Sequence, residues 1–230
     1  MKAMLFAAGR GERLRPLTDR TPKPLIAVRG KPLIEWHLEK LAACGVHEVV
    51  INTSWLGEQF APALGDGARW GLRLHYIDEG AVPLETGGGL LNALPWLGRE
   101  PFWLVNGDVF TDYDFARLPR RPQGLAHLVM VPTAEHTPGG DFALDSAGLL
   151  RAEGDPKLTY SGIGCYHPAL LDDWQAVIGE LSPADRAPPR FRLAPLLRAA
   201  MPRGAVTGEL HRGLWADVGT LERLQQLEAG

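Results

Sequence analysis

The chain has few cysteines, and their spacing fits neither a disulfide framework nor a zinc site. Cys44 and Cys165 are the only two in 230 residues, and neither belongs to a Cys-x-x-Cys pair. Disulfide scaffolds and structural zinc sites both need several closely spaced ligands, so these two classes are excluded. We expect two reduced, buried thiols. The seven histidines show no pairing with a nucleophile motif, and none is assigned to catalysis.

Long apolar runs and an excess of positive charge are also missing. No run of about 18 apolar residues occurs, the length that a membrane-spanning helix needs. The first residues contain too short an apolar segment for a secretory signal. The net charge of −3 leaves no broad basic face for nucleic acid. These absences predict a cytoplasmic protein that binds neither a membrane nor a nucleic acid.

Strand-like and helix-like patterns alternate through the first half of the chain. Helical patterns start at Pro32, extend from about Leu56 to Leu64, and follow Thr86. Strand-like runs stand at 3–7, 47–52, 72–77 and 101–106. This alternation predicts an α/β fold with a mostly parallel central sheet flanked by helices. From Gly124 onward short strands follow one another closely, which indicates antiparallel additions. The length of 230 residues fits one large domain.

The most informative stretch is LFAAGRGERLRPLTDRTPKPL at 5–25, where a strand-like run leads into two glycines and several cations. Gly9 and Gly11 allow a turn that points backbone amides at an anion, and Arg13 and Lys23 place positive charge nearby. The stretch lacks the third glycine of a dinucleotide-binding loop and the Gly-Lys-Ser/Thr of a P-loop. It predicts a polyphosphate-binding turn, against the alternative of an ordinary turn with solvated arginines.

Four stretches together resemble the sugar-1-phosphate nucleotidyltransferases over nearly the whole chain. They are the turn with its TPKPL end, LETGGG at 84–89, NGDVFTDYDFARL at 106–118 and WADVGTLERL at 215–224. The resemblance implies a single domain over 1–230 with a Rossmann-like, GT-A-like nucleotidyltransferase fold. Its nucleotide-binding half would cover about 1–120 and its sugar-binding half about 121–230. Because no hexapeptide repeats follow, the C-terminal β-helix domain of some relatives is not expected.

Within that family, Glu85 is typical of the branch that serves cell-wall (peptidoglycan) recycling. The resemblance implies Mg²⁺-dependent transfer of UMP from UTP to N-acetylmuramate α-1-phosphate, giving UDP-N-acetylmuramate and pyrophosphate. Mannose-1-phosphate guanylyltransferase and glucose-1-phosphate thymidylyl- or uridylyltransferase activities are alternatives on the same fold. A non-catalytic nucleotide-sugar sensor is the alternative outside enzymes. The implied partners are UTP and a sugar 1-phosphate, and a monomer or weak dimer is expected.

Two aspartates are candidate ligands for Mg²⁺, which prefers carboxylate oxygens and would help two anionic substrates to meet. Asp108 follows an apolar strand at the end where open α/β sheets bind ligands, and it matches the family's first metal aspartate. Asp217 matches the second. The alternative for both is a capping role, although Thr220 is the better placed N-cap of the last helix. Asp112 and Asp114 fit turn or cap positions.

The resemblance also implies which residues bind the nucleotide. Arg13 is expected on the β- and γ-phosphates and Lys23 near the reacting phosphate, so that Arg13, Lys23 and Asp108 form the predicted catalytic group. The glycine-rich turn at 84–89 is expected to hold the base and the α-phosphate through backbone amides. Asp78 or Glu79 would face the base. The predicted nucleotide-binding residues are Ala8, Gly9, Gly11, Arg13, Lys23, Glu79, Glu85, Thr86, Gly87 and Asn106. The alternative for Glu85 is a loop carboxylate paired with a nearby arginine.

Gly140, Glu153 and Tyr160 are the implied sugar-binding residues. The Glu153 carboxylate can accept hydrogen bonds from sugar hydroxyls, although an exposed glutamate is more often only solvated. Relatives commonly carry a lysine directly after this glutamate, where it meets the sugar phosphate, whereas a glycine follows here. Lys157 and Arg192 are possible substitutes for that missing cation.

The stretch ELSPADRAPPRFR at 180–192 is rich in proline and arginine. This composition indicates either a lid or an ordinary loop. N-acetylmuramate carries a lactyl carboxylate, and an arginine within 186–192 could meet it. The spacing of the sequence does not select one of these arginines.

Overall fold

The structure, a computed structural model, describes residues 1–133 and 139–229. The helices are α1 (Leu33–Ala43), α2 (Phe60–Leu64), α3 (Glu85–Leu97), α4 (Trp174–Ile178), α5 (Ala194–Ala200) and α6 (Leu221–Ala229). The strands are β1 (Lys2–Phe6), β2 (Ala27–Val28), β3 (Lys31–Pro32), β4 (Glu48–Thr53), β5 (Arg73–Asp78), β6 (Phe102–Asn106), β7 (Val109–Thr111), β8 (Ala126–Val131), β9 (Phe142–Leu144), β10 (Leu150–Arg151), β11 (Lys157–Tyr166), β12 (Val206–Leu210) and β13 (Trp215–Asp217).

The chain forms two compact units, each assembled from stretches that are separate in sequence. Unit 1 contains Met1–Pro83, Val105–Ala116 and Leu214–Gly230, and unit 2 contains Leu84–Leu104 and Arg117–Gly213. Residues from both ends of the sequence therefore meet in unit 1.

Unit 1 is built on a parallel sheet in which β4 lies between β1 and β5. Its strands are apolar on both faces, with Ala3, Met4 and Leu5 fully buried, as expected for parallel strands covered by helices. Because the strands run parallel, their C-terminal ends share one edge of the sheet. Phe6 pairs there with Asn52, and the phosphate turn predicted from the sequence starts directly after β1.

The helix α1, which the sequence predicted after Pro32, packs on this sheet through apolar positions at helical spacing. Leu33, Ile34, Leu38 and Leu41 are all fully buried. A second, antiparallel pair is formed by β7 and β13, which brings the last part of the chain beside the residues that follow β6. An apolar cluster then holds α6 in unit 1; its buried members are Leu14, Ile26, Val28, Leu33, Phe110, Val218 and Leu227.

Unit 2 contains the antiparallel strands that the second half of the sequence predicted. β8 pairs with β11 antiparallel and with β12 parallel. β9 pairs antiparallel with both β10 and β11. The helix α3 opens this unit and begins at Glu85, so the three glycines of LETGGG lie inside its first turns.

The predicted α/β class with antiparallel additions is confirmed, with differences in detail. The helix predicted over 56–64 is a 3-10 turn at Gly57–Gln59 followed by the short α2. Cys165 is buried as expected, whereas Cys44 is only partly buried, and neither forms a disulfide within the described residues. In the part of the chain that the structure describes, no helix is both long and apolar enough to cross a membrane.

Candidate active site

The turn after β1 folds back on itself. Its two glycines are present for different structural reasons. Gly11 has φ +62°, and a Cβ there would lie 2.8 Å from Thr18 Cγ2 and 3.2 Å from Lys23 Cβ. The Thr18 hydroxyl donates to Gly11 O at 2.9 Å, which closes the turn. A Cβ at Gly9 would meet nothing within 4 Å. Gly11 is therefore needed for the fold of the turn, while Gly9 leaves an open face.

A buried amide positions the start of this turn. Ala7 N–H donates to Asn52 Oδ1 at 2.9 Å, and Asn52 Nδ2 donates to Glu79 Oε1 at 2.7 Å. Asn52 and Glu79 are 3% and 8% exposed, so these bonds are shielded from water. The sequence analysis missed Asn52, although a lone polar residue near the end of the apolar run VVIN was a signal. The base contact predicted for Glu79 stays a prediction.

Lys23 and Asp108 form a direct ion pair. Lys23 Nζ donates to Asp108 Oδ2 at 2.7 Å, and the two side chains are 9% and 38% exposed. Asp108 comes two residues after Asn106, the last residue of β6. Between them, Gly107 N–H donates to Phe6 O at 2.9 Å, and a Cβ at Gly107 would lie only 2.7 Å from that oxygen. The Asn-Gly-Asp sequence thus fixes Asp108 beside the end of β1.

The structure brings Asp217 next to Asp108, although the two are far apart in the sequence. In the β7–β13 pair Asp217 lies opposite Val109. The following residue, Val218, donates its N–H to Asp108 O at 2.8 Å. Two carboxylates on neighbouring backbone positions are the arrangement that a shared divalent cation needs.

These two aspartates are not part of a larger group of ligands. Within residues 1–133 and 139–229, no group of three or more His, Cys, Asp or Glu side chains could hold a metal ion. A cation at Asp108 and Asp217 would take its remaining oxygen ligands from a substrate and from water, as Mg²⁺ commonly does.

Two arginines surround Asp217. Arg223 Nη1 pairs with Asp217 Oδ1, and both side chains are less than one-fifth exposed, at 18% and 19%. A Cβ at Gly219 would lie 3.0 Å from Arg223 Nη1, 3.0 Å from Asp217 Oδ2 and 3.1 Å from Arg13 Nη2. Three charged groups therefore meet over the backbone of Gly219. The sequence analysis named Arg13 and missed Arg223; its place one turn after Thr220 gave only a weak signal.

The helix α1 supports β7 from inside unit 1. His37 Nε2–H donates to Val109 O at 2.8 Å, and Lys40 Nζ donates to Tyr113 O at 3.1 Å. Burial lowers the pKa of His37 to about 4, more than the Val109 carbonyl raises it. His37 is therefore neutral at pH 7 and acts as a fixed hydrogen-bond donor below Asp108. The cap role expected of Asp114 is observed, since its Oδ1 accepts from Ala116 N–H at 2.9 Å.

In unit 2, Glu85 pairs with arginines, which was the alternative considered from the sequence. Its carboxylate lies 3.8 Å from Arg190 Nη2 and 3.7 Å from Arg192 Nε. Its φ of +62° is a conformation that favours glycine, the residue that most relatives carry here. Thr86 Oγ1 accepts from Leu193 N–H at 2.9 Å. The segment around residue 190 is thus tied to the start of α3.

The glycines after Thr86 serve close packing. Gly87 N–H and Gly88 N–H both donate to Phe191 O, at 2.8 and 3.0 Å. A Cβ at Gly87 would lie 2.5 Å from the Phe191 ring, and one at Gly88 would lie 2.3 Å from Pro189 O. We expected these amides to face a nucleotide, but they are already used by the 189–191 segment. Close approach of that segment is the physical reason for the glycines.

Glu153 and Gly140, two of the three predicted sugar-binding residues, both lie close to Lys157. Glu153 Oε2 lies 3.0 Å from Lys157 Nζ, and a Cβ at Gly140 would lie 2.8 Å from the carbonyl carbon of Lys157. Tyr160 OH accepts from Tyr166 OH at 2.8 Å, and burial raises the pKa of Tyr160. The Glu153 side chain is 88% exposed and free to meet a solute on its open side.

Comparisons with known proteins fit this arrangement. A family model described as nucleotidyl transferase matches residues 2–142. N-acetylmuramate alpha-1-phosphate uridylyltransferase of Neisseria meningitidis is 48% identical over 236 residues, which cover 100% of this chain and 97% of the relative. The protein of the same name from Caulobacter vibrioides is 32% identical, with 94% and 91% covered.

A solved structure adds support for the fold. It is described as a glucose-1-phosphate thymidylyltransferase from Bacillus anthracis in complex with a sucrose, and it superposes with a TM-score of 0.81. It is 22% identical and covers 100% of this chain and 94% of its own, so it bears on the fold alone. Taken with the family match and the relatives, the chain belongs to the nucleotidyl transferase family and is an enzyme of that class.

Proposed function

We propose that the protein transfers UMP from UTP to N-acetylmuramate α-1-phosphate, giving UDP-N-acetylmuramate and pyrophosphate. The Lys23–Asp108 ion pair, and the backbone pairing that places Asp217 next to Asp108, support the chemistry. The choice of base and sugar rests on the 48% identical relative with that name. A cytoplasmic role in peptidoglycan recycling, as a monomer or weak dimer, completes the proposal.

The proposed cofactor is Mg²⁺, and Asp108 and Asp217 would hold it. The residues present fit the ion, since both are aspartates and the Val218–Asp108 hydrogen bond holds their backbone positions next to each other. When bound, the ion neutralises part of the triphosphate charge and thereby lets a second anion approach. We propose one domain over 1–230 that carries this chemistry.

The reaction needs no covalent enzyme intermediate. An oxygen of the sugar phosphate forms a bond to the α-phosphorus while the bond from that phosphorus to the bridging oxygen breaks, and pyrophosphate leaves. Because the attacking phosphate is already ionised, no general base is required. The side chains instead bind and orient the reactants, with Lys23 as a point charge near the reacting phosphate and Arg13 on the β- and γ-phosphates.

The predicted nucleotide contacts remain proposals. In unit 1 they are Ala8, Gly9, Gly11, Arg13, Lys23, Glu79 and Asn106. Gly9 has the strongest support, because the open space at its Cα would let a phosphate approach the backbone closely. In unit 2 they are Glu85 and Thr86. The prediction for Gly87 is not kept, because it required an available backbone amide and the Gly87 N–H donates to Phe191 O.

For the sugar, we propose Gly140, Glu153 and Tyr160, with Lys157 as the cation for the sugar phosphate. Lys157 is favoured over Arg192 because its ammonium lies beside Glu153, whereas the Arg192 guanidinium lies beside Glu85. A lysine at this place would replace the cation that relatives carry directly after the glutamate.

The test is pyrophosphate release with four nucleotides, UTP, dTTP, GTP and CTP, against the 1-phosphates of N-acetylmuramate, N-acetylglucosamine, glucose and mannose. Highest kcat/KM is expected for UTP with N-acetylmuramate 1-phosphate. A chelator should abolish turnover, and added Mg²⁺ should restore it. A higher kcat/KM for another pair of nucleotide and sugar 1-phosphate would show that the proposed substrates are wrong. Tight nucleotide binding without turnover for any pair would favour the nucleotide-sugar sensor.

A further inference from the structure

Arg223 is a largely buried cation whose role no sequence motif indicated. It lies in the first turn of α6, where its N–H meets the Thr220 hydroxyl at 3.4 Å. Its side chain is 18% exposed and pairs with Asp217. A guanidinium withdrawn from water needs an anionic partner. In this structure that partner is Asp217, the carboxylate that we propose as the second Mg²⁺ ligand.

Two guanidinium groups approach the same point beside Asp217. Arg13 Nη2 and Arg223 Nη1 lie 3.1 and 3.0 Å from the position of a Cβ at Gly219, and Asp217 Oδ2 lies 3.0 Å from it. The repulsion between two like charges is offset where an anion stands beside both. Asp217 supplies that anion here, so Arg223 would lose its carboxylate partner if Asp217 turned to a metal ion.

We propose that Arg223 is a third phosphate-binding cation, which binds nucleotide phosphate oxygens together with Arg13 once Asp217 turns to the divalent cation. The arginine fork suits phosphate oxygens, which can accept two parallel hydrogen bonds. This inference rests on the proposed function for the identity of the anion. In this proposal, Asp217 leaves its arginine partner and binds the metal ion when the nucleotide binds.

The first experiment measures binding of tripolyphosphate to the protein by calorimetry in the presence of saturating Mg²⁺, the condition under which the proposed exchange of partners frees Arg223. Arg223→Gln is expected to weaken binding by about tenfold to a hundredfold, the usual range for a lost hydrogen bond to a charged group. The matched control is Arg203→Gln, which removes the same charge from an exposed position in unit 2. Equal affinities for Arg223→Gln and Arg203→Gln would overturn the proposal.

A double-mutant cycle separates direct contact from a general charge effect. Asp217→Asn frees Arg223 and is expected to strengthen tripolyphosphate binding in the metal-free protein. In the Arg223→Gln background the same change should bring little gain, because the freed arginine is absent. An equal gain in both backgrounds would mean that Asp217 acts only through its charge, and the proposed exchange of partners would be wrong.

Arg223→Lys provides a second test if the glutamine variant fails to fold, since it keeps the charge that neutralises Asp217. It should bind tripolyphosphate more weakly than the wild type because an ammonium cannot present a fork. Wild-type affinity in that variant would contradict the proposal. These measurements involve no base or sugar. If they succeed while no sugar 1-phosphate supports turnover, the proposed function fails and the role of Arg223 stands.

Discussion

The Lys23 ammonium donates to the Asp108 carboxylate over 2.7 Å, and the lysine of this pair is nearly buried while the aspartate faces solvent. Each partner holds the other in the position where the proposed reaction needs it. The lysine supplies the cation near the reacting phosphate, and the aspartate keeps a free oxygen for a metal ion. The pair therefore links the phosphate turn to the proposed metal site before any substrate binds.

Asp108→Asn is expected to lower kcat by about a hundredfold or more, because a charged ligand of the proposed Mg²⁺ is lost. The concentration of Mg²⁺ for half-maximal activity should rise at the same time. Steady-state kinetics over a series of Mg²⁺ concentrations measure both quantities. Circular dichroism should show an unchanged fold.

Asp114→Asn is the matched control, since it changes the same residue type at an exposed cap that asparagine also provides. It should keep wild-type turnover and wild-type Mg²⁺ dependence. Wild-type kinetics in Asp108→Asn would show that the metal assignment is wrong.

The two glycines of the phosphate turn should respond differently to alanine. At Gly11 the backbone is left-handed and Thr18 blocks the space, so Gly11→Ala should reduce the free energy of unfolding by about 1–2 kcal/mol. At Gly9 the space is open, so Gly9→Ala should leave stability unchanged and raise the KM for the nucleotide. Urea unfolding and initial rates measure the two effects. A stable Gly11→Ala, or an unchanged nucleotide KM in Gly9→Ala, would contradict this division of roles.

The fold and the linear motifs could be predicted from the sequence because they depend on local patterns. Apolar spacing was enough to place α1 on the core, since helical periodicity decides which face is buried. The structural role of Gly11 could also be predicted, because a positive φ in a tight turn restricts the residue type. Asp108 and Asp217 were identified only by resemblance; their nearness depends on the β7–β13 pairing, which no local pattern specifies.

Residues that act through packing between distant elements were missed. Asn52 and His37 each bond to a partner far away in the sequence, and no spacing rule connects the two. Arg223 was missed although its partner Asp217 is only six residues away, because an ion pair across the turn between β13 and α6 has no sequence signature. The glycines of LETGGG were interpreted as a ligand turn, whereas their tight contacts come from a segment about residue 190. A sequence shows that a glycine is needed more readily than it shows what approaches it.

Glu85 offers a test of backbone strain that does not depend on activity. We compare Glu85→Gly with Glu85→Ala, which both remove the carboxylate and its exposed ion pairs, worth about 0–1 kcal/mol. Glycine tolerates the φ of +62°, while alanine keeps the strain. The glycine variant should therefore be more stable by about 1 kcal/mol, the reverse of the usual order in a helix. Urea unfolding of both variants decides this, and a more stable alanine variant would refute the strained conformation.

His37 should make the stability of the protein depend on pH. Its pKa in the folded state is about 4, below the value of 6.5 for an unperturbed histidine, because the ring is buried. The unfolded chain therefore binds a proton at a higher pH than the folded protein does. The sign follows from this difference: stability falls as the pH decreases from 6.5 towards 4.

The expected contribution is a loss of about 2 kcal/mol in the free energy of unfolding between pH 7 and pH 5. His37→Gln removes the titrating group while keeping a side-chain donor for Val109 O, so this part of the pH dependence should disappear even if the variant is less stable overall. Urea unfolding at the two pH values measures the slope. His47→Gln, which changes an exposed histidine, should keep the wild-type slope. If His37→Gln also kept the wild-type slope, protonation of the buried ring would not be its cause. The assignment of His37 as a neutral donor to Val109 O would then be wrong.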